Sequence, residues 1–165
     1  MSCITIEQLA KVFPKQPGEI LDLVLRQMDD AGLTATKEVA AAFVAQIGHE
    51  SIDLTHTAEI NEGKVGNKKP AYWPYFGRGY IQVTWRKNYE DCGKALGLDL
   101  IAQPELLELP ENAMASAIWF YRSHGLQNIR DIDVISTRIN GTGIKPASKA
   151  DRHRRYDRAL AIFSA

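Results

Sequence analysis

Excess charge of either sign is missing from this chain. Its 20 Lys and Arg balance 20 Asp and Glu, so there is no broad basic field to draw in nucleic acid or an anionic membrane. Long hydrophobic runs are missing too, and no stretch approaches the roughly 18 apolar residues of a membrane span. The start, MSCITIEQLAKVFPK, has no basic n-region, apolar h-region or small-residue cleavage site. No signal peptide is therefore expected, which implies synthesis in the cytoplasm and export, if any, by another route. Cysteine is scarce. Cys3 and Cys92 are too few and too far apart for a metal site or a disulfide framework, and read as free thiols.

Several catalytic signatures are also missing. His49-Glu50 would begin a zinc-protease motif, but the second His is required at position 53, which is Asp53. His56, His124 and His153 have no ligand-like spacing. There is no G-x-S-x-G elbow and no G-x-x-x-x-G-K-[ST] loop. Neither a metal nor a cofactor is expected. Lys64, Lys68 and Lys69 form only a small solvated cluster.

What is present is an ordinary globular composition, 45% hydrophobic and 24% charged over 165 residues. That supports one domain, residues 1–165, with a real core. Thr5 and Gln8 fit a capping box, and Ile6, Leu9, Ala10 and Phe13 share a face of a first helix ending at Pro14. Glu19–Ala31 has the same period. The helix Thr34–Ser51 is the organising stretch. Thr34 or Thr36 can cap it, and Val39, Ala40, Phe43, Val44 and Ile47 form its apolar stripe.

That stripe leads to an acid. At about 100° per residue, Glu50 lies within roughly 20° of Phe43 on the helical wheel. It is also in the last turn, where the dipole disfavours an anion. Burial and dipole together favour a protonated carboxyl, which a general acid needs. The same position also fits a Glu at a frayed helix end, turned to solvent.

Helical period is lost from Ile52 to Phe76, where Gly63, Gly66, Pro70 and Pro74 break the chain. Tyr72, Trp73, Tyr75 and Phe76 suit either stacking on sugar rings or an apolar cluster under the loop. Glu59 and Glu62 lie in this loop, and an acid pair across a cleft is the equipment of a glycosidase. GRGYIQVTW, Gly77 to Trp85, is expected to contain a short extended segment. Helices are expected over Arg86–Leu96, after Pro110 with Asn112 as cap, from Asp131 or Asp133 to Ile139, and from the Ser148/Asp151 start signal onward. The one bearing Trp119 and Phe120 is expected to be the central buried helix. Arg152, Arg154 and Arg155 crowd a helix start, where cations are solvated unless one reaches a carboxylate.

AQIGHES, an acid-bearing loop, FGRGYIQVTWRKNY, and RING followed by DRHRRY together resemble glycoside hydrolase family 19 over about Ala42 to Tyr156. That family contains chitinases and many phage or prophage endolysins. The resemblance implies a mainly α, lysozyme-like helical domain with a catalytic cleft and at most a short β segment. It implies Glu50 as general acid, and Thr84 as the hydroxyl that helps hold the attacking water. Gln82, Asn88, Tyr80 and Asn140 would serve in substrate binding, with Arg152 behind the acids and tuning them. Glu59 matches the base position of endolysin-like members, and Glu62, in EGKVGN, that of others; Glu59 is favoured. Ile52-Asp53 stand where relatives usually have small residues. Family members invert at the anomeric carbon, with carboxyls about 6.5–9.5 Å apart and water between them. The preferred expectation is a monomeric endolysin that cuts β-1,4 bonds of bacterial peptidoglycan glycan strands. It would reach the wall from the host bacterial cytoplasm through a separate membrane pore, without nucleic acid or stable membrane association. A chitinase, or a non-catalytic glycan-binding phage module, is the alternative.

Overall fold

The computed structural model describes residues 2–165. Among the described residues seven α-helices carry the fold: α1 (Ile6–Val12), α2 (Gly18–Asp30), α3 (Lys37–Glu50), α4 (Arg86–Leu96), α5 (Pro110–Ser123), α6 (Ile132–Asn140) and α7 (Pro146–Ser164). No helix is long and apolar enough to cross a membrane among the described residues. The starts follow the local chemistry. Thr5 and Gln8 form the expected capping box of α1. Thr36 caps α3 through the Val39 amide, while Thr34 is buried and donates instead to Asp29. Asp131 caps α6 through the amides of Asp133 and Val134.

The central helix is α3, not α5. Every residue from Ala40 to Gly48 is buried. The alanines at 40, 41, 42 and 45 present a low surface, so neighbouring helices approach on several sides. Phe43 meets the Tyr121 ring of α5 edge-on, centroids 5.1 Å apart. The most extensive helix pairing is α3 with α7. Gly48 permits that approach, since a Cβ there would lie 3.1 Å from Phe13 and 3.2 Å from an Arg155 nitrogen. The aromatic pair Trp119 and Phe120 packs at the margin of the core, which is why composition alone pointed to the wrong helix.

Two other helix starts differ from expectation. α5 begins at Pro110, and Asn112 sits inside its first turn, donating to the Leu106 carbonyl (2.9 Å). α7 likewise begins with a proline, Pro146, which supplies a ready-made first-turn φ. Ser148 is thereby freed to bond elsewhere.

Residues 51–85 cross the face of the bundle without a strand. The expected extended segment is a tight turn closed on itself, with Arg78 and Val83 exchanging hydrogen bonds of 3.1 and 2.8 Å. Gly79 (φ +76°) and Gln82 (φ +58°) bend it. The period of two is therefore broken, and Tyr80, Ile81 and Val83 are all buried. Arg78 braces the turn from below. Its Nε donates to Glu108 (2.7 Å) and its Nη1 to the Pro74 carbonyl and the Tyr89 hydroxyl, both at 3.0 Å. Burial pushes the Tyr89 phenol up to about 12, so it remains a donor, to the Phe76 carbonyl.

Gly79 touches α5. A Cβ there would lie 2.5 Å from the Ser116 hydroxyl. Gly79→Ala therefore combines a left-handed backbone penalty with overpacking, and should cost about 2 kcal/mol or more. Urea unfolding should show a lower midpoint at unchanged slope.

Candidate active site

α3 delivers Glu50 as its last residue. Ser51 ends the helix, its hydroxyl donating to the Ile47 carbonyl (2.6 Å) and accepting from the Leu54 amide (2.8 Å). The chain then turns left-handed through Ile52, Asp53 and Leu54, at φ +50°, +57° and +65°. This reversal leads within nine residues to Glu59.

Glu50 is not an acid isolated among apolar groups. Its Oε1 accepts from Nη2 of Arg152, whose side chain is 1% exposed against 18% for Glu50. Arg152 Nη1 donates to Gln46 Oε1 (2.5 Å), Nη2 reaches Asn140 Oδ1 (3.4 Å), and Nε reaches Ser148 Oγ (3.4 Å). Gln46 is held in turn by Ser136 of α6 (3.0 Å). A buried guanidinium needs its charge paired and its donors filled, and these partners do both. Of the three crowded arginines, this one reaches the acid. It does not line the cleft, so a direct substrate contact by Arg152 is not what the geometry provides.

A second layer continues outward. His49 Nδ1 lies 2.7 Å from Asp151 Oδ2, and its Nε2 lies 3.0 Å from Ser148 Oγ. Asp151 also accepts from Arg155 Nε (2.7 Å), and Arg155 pairs with Asp53 in the left-handed turn. Burial opposes ionisation of Asp151, but hydrogen bonds from His49 and Arg155 outweigh it. They hold the carboxyl at about 2, below its ordinary 3.8.

Glu59 lines the same cavity as Glu50. Its Oε1 accepts from the Tyr72 hydroxyl (3.0 Å) and its Oε2 from the Gly77 amide (3.1 Å). Burial and the Glu59 carboxylate keep the Tyr72 phenol protonated by raising its pKa. Glu62 goes elsewhere. It is exposed and ion-paired with Lys64, which lowers its pKa, and it does not line the cavity.

That cavity, about 550 Å3, brings together Glu50, Glu59, Gln82, Thr84, Asn88 and Asn140. Thr84 Oγ1 donates to the Gln82 carbonyl (2.9 Å), and Asn88 Nδ2 to the Thr84 carbonyl (2.8 Å). Tyr72 and Trp85 form an aromatic wall, ring centroids 5.4 Å apart, with Phe120 of α5 also on the lining. Tyr80 is a correction. It is 1% exposed in the core, burial raises its pKa, and it does not reach the cleft. Its neighbour in the motif, Gln82, does. Among the described residues no cluster of three or more His, Cys, Asp or Glu could hold a metal.

The family model for class I chitinases matches residues 62–157. The chain belongs to glycoside hydrolase family 19. Among curated family relatives, an endochitinase of Arabidopsis thaliana is 34% identical over 137 residues, covering 74% of this chain and 47% of its own. Acidic endochitinase SP2 of Beta vulgaris is 34% identical over 145 residues, covering 77% and 50%. The chain thus spans about half the length of the curated relatives it matches. The crystal structure of chitinase C from Streptomyces griseus superposes with a TM-score of 0.78 at 25% identity, covering 99% of this chain and 77% of that one. The lysozyme-like helical fold of the family is the fold found.

Sequence inspection missed the support layer of Gln46, His49, Ser148 and Asp151. One signal was available: Gln46 interrupts an apolar run four residues before Glu50, on the same helix face.

The low pKa of Asp151 is a stability statement with a sign. A carboxyl depressed in the folded state stabilises above its unfolded value and loses that contribution as pH falls through the folded one. Asp151→Asn should therefore be less stable than wild type near neutral pH. The difference should shrink between about pH 4 and about pH 2, as read by urea midpoints across that range.

Proposed function

We propose that the protein hydrolyses β-1,4 bonds of N-acetylglucosamine glycans, with chitin as the preferred substrate. The observation that carries this is the placing of Glu50 and Glu59 in one cleft, with Thr84 beside them. With Oε1 paired to Arg152, Glu50 takes up a proton from solvent on Oε2, which has no hydrogen-bond partner among the described residues, and donates it to the glycosidic oxygen. Glu59 is oriented by Tyr72 and Gly77. Each carboxylate oxygen has about two acceptor sites, so lone pairs remain free to take a proton from water. As the C1–O bond breaks, the water oxygen bonds to C1 and its proton passes to Glu59. That is the inverting scheme. Thr84 helps hold the water, Gln82, Asn88 and Asn140 meet the sugar's polar groups, and Trp85 and Tyr72 offer ring surface.

The motif set alone leaned toward peptidoglycan and a phage endolysin. The named relatives are endochitinases and a chitinase, and support chitin instead. Neither they nor the fold adds support for a phage origin.

Chitohexaose and purified peptidoglycan, incubated separately with the protein and read by mass spectrometry, test both substrates. Shorter chito-oligosaccharides are expected. Products from peptidoglycan alone would overturn the chitin preference, and none from either would refute hydrolysis. Glu50→Gln and Glu59→Gln should each lower the rate on the order of 10²–10⁴-fold, with circular dichroism unchanged. Glu62→Gln should stay near wild type, which separates the two candidate bases.

A further inference from the structure

Phe120 is the side chain through which α5 meets the main cleft. The ring torsion of a phenylalanine is broad and roughly two-fold, so the plane of its ring is set by what flanks it. Two rings flank Phe120. The Trp119 indole meets it at 72°, centroids 6.4 Å apart, and the His124 imidazole stacks on it, 24° from parallel with centroids 4.1 Å apart.

His124 lies at i+4 from Phe120, where side chains share a helix face. Side chains lean toward the helix N-terminus, so the imidazole reaches back over the phenyl ring. His124 is also the residue that ends α5. Its Nδ1 lies 2.8 Å from the Phe120 carbonyl oxygen. A carbonyl only accepts, so Nδ1 carries the hydrogen and donates. The His124 amide donates to the same oxygen (3.2 Å), as does the Ser123 hydroxyl (3.1 Å). His124 is exposed, and holding an exposed side chain in one rotamer loses conformational entropy. It takes no part in the network around Arg152. Both the stack and the side-chain hydrogen bond that hold it end on Phe120.

We propose that His124 is a positioning residue, which through its stack fixes the plane of Phe120 and so the apolar wall that a sugar ring meets in the cleft. It touches no reacting group itself. The inference rests on the proposed hydrolysis of a glycan. A fixed wall holds bound substrate and transition state alike, so its loss acts on KM rather than on kcat.

Two substitutions separate this role from that of a simple helix end. His124→Asn keeps a side-chain donor for the Phe120 carbonyl and removes the ring. His124→Phe keeps the ring and removes the donor. On chitohexaose, His124→Asn should raise KM about threefold to tenfold, the worth of one aromatic pair, and leave kcat near wild type. His124→Phe should have the wild-type KM, and both variants a thermal midpoint near that of wild type. A wild-type KM in His124→Asn, an equal rise in both variants, or a loss confined to kcat would overturn the role. If the wild-type protein cleaves neither glycan, the hydrolysis reading fails separately. Chitohexaose binding by calorimetry then decides: weaker binding to His124→Asn but not to His124→Phe supports the role, and any other pattern contradicts it.

Discussion

A buried guanidinium holds this molecule's working parts together. Arg152 comes from α7, is 0% exposed, and is met by Gln46 and Glu50 of α3, Asn140 of α6 and Ser148 of its own helix. A charge so placed costs several kcal/mol unless it is paired and hydrogen-bonded. The three helices must therefore dock in one arrangement for its partners to be in reach. That arrangement also aims Glu50 into the cleft. Stability and the orientation of the acid thus depend on the same contact. The outer layer of His49, Asp151 and Arg155 extends it to the left-handed turn at Asp53.

The second acid is fixed by a different means. Glu59 lies on an irregular segment, where backbone groups need partners that helices would otherwise provide. Its amide donates to the Gly77 carbonyl (2.7 Å), while the Gly77 amide donates back to its carboxylate. Loop and acid are thereby one hydrogen-bonded unit, resting on the turn that Arg78 braces from beneath. One carboxylate is set by helix packing and the other by a loop seated on that packing. This is how a small helical domain places two acids across a gap.

Much of this is legible in the sequence where local chemistry decides. The capping box at Thr5 and Gln8 and the apolar stripe leading to Glu50 follow from spacing, which also narrows two further caps to Thr34 or Thr36 and to Asp131 or Asp133; Thr36 and Asp131 are the ones that serve. Family motifs mark Gln82, Thr84, Asn88 and Asn140, which do converge on one cleft. Long-range choices are not legible. Nothing local tells which of Arg152, Arg154 and Arg155 turns inward; the docking of α7 on α3 decides. Tyr80 reads as a cleft residue only if the segment is extended, and left-handed backbone at Gly79 and Gln82 sends it into the core instead. Hydrophobicity points to α5 as the central helix because Trp119 and Phe120 outweigh alanines, whereas close packing favours the small residues of α3.

The central claim is that the fork of Arg152 both secures the three helices and orients Glu50. Arg152→Lys tests it most directly, since lysine keeps the charge but presents a point donor rather than a planar fork. Hydrolysis of chitohexaose and urea unfolding would be measured on the same preparation. The account predicts a folded protein with a lower unfolding midpoint and at least a tenfold loss of kcat. Wild-type turnover by a folded Arg152→Lys variant would contradict it.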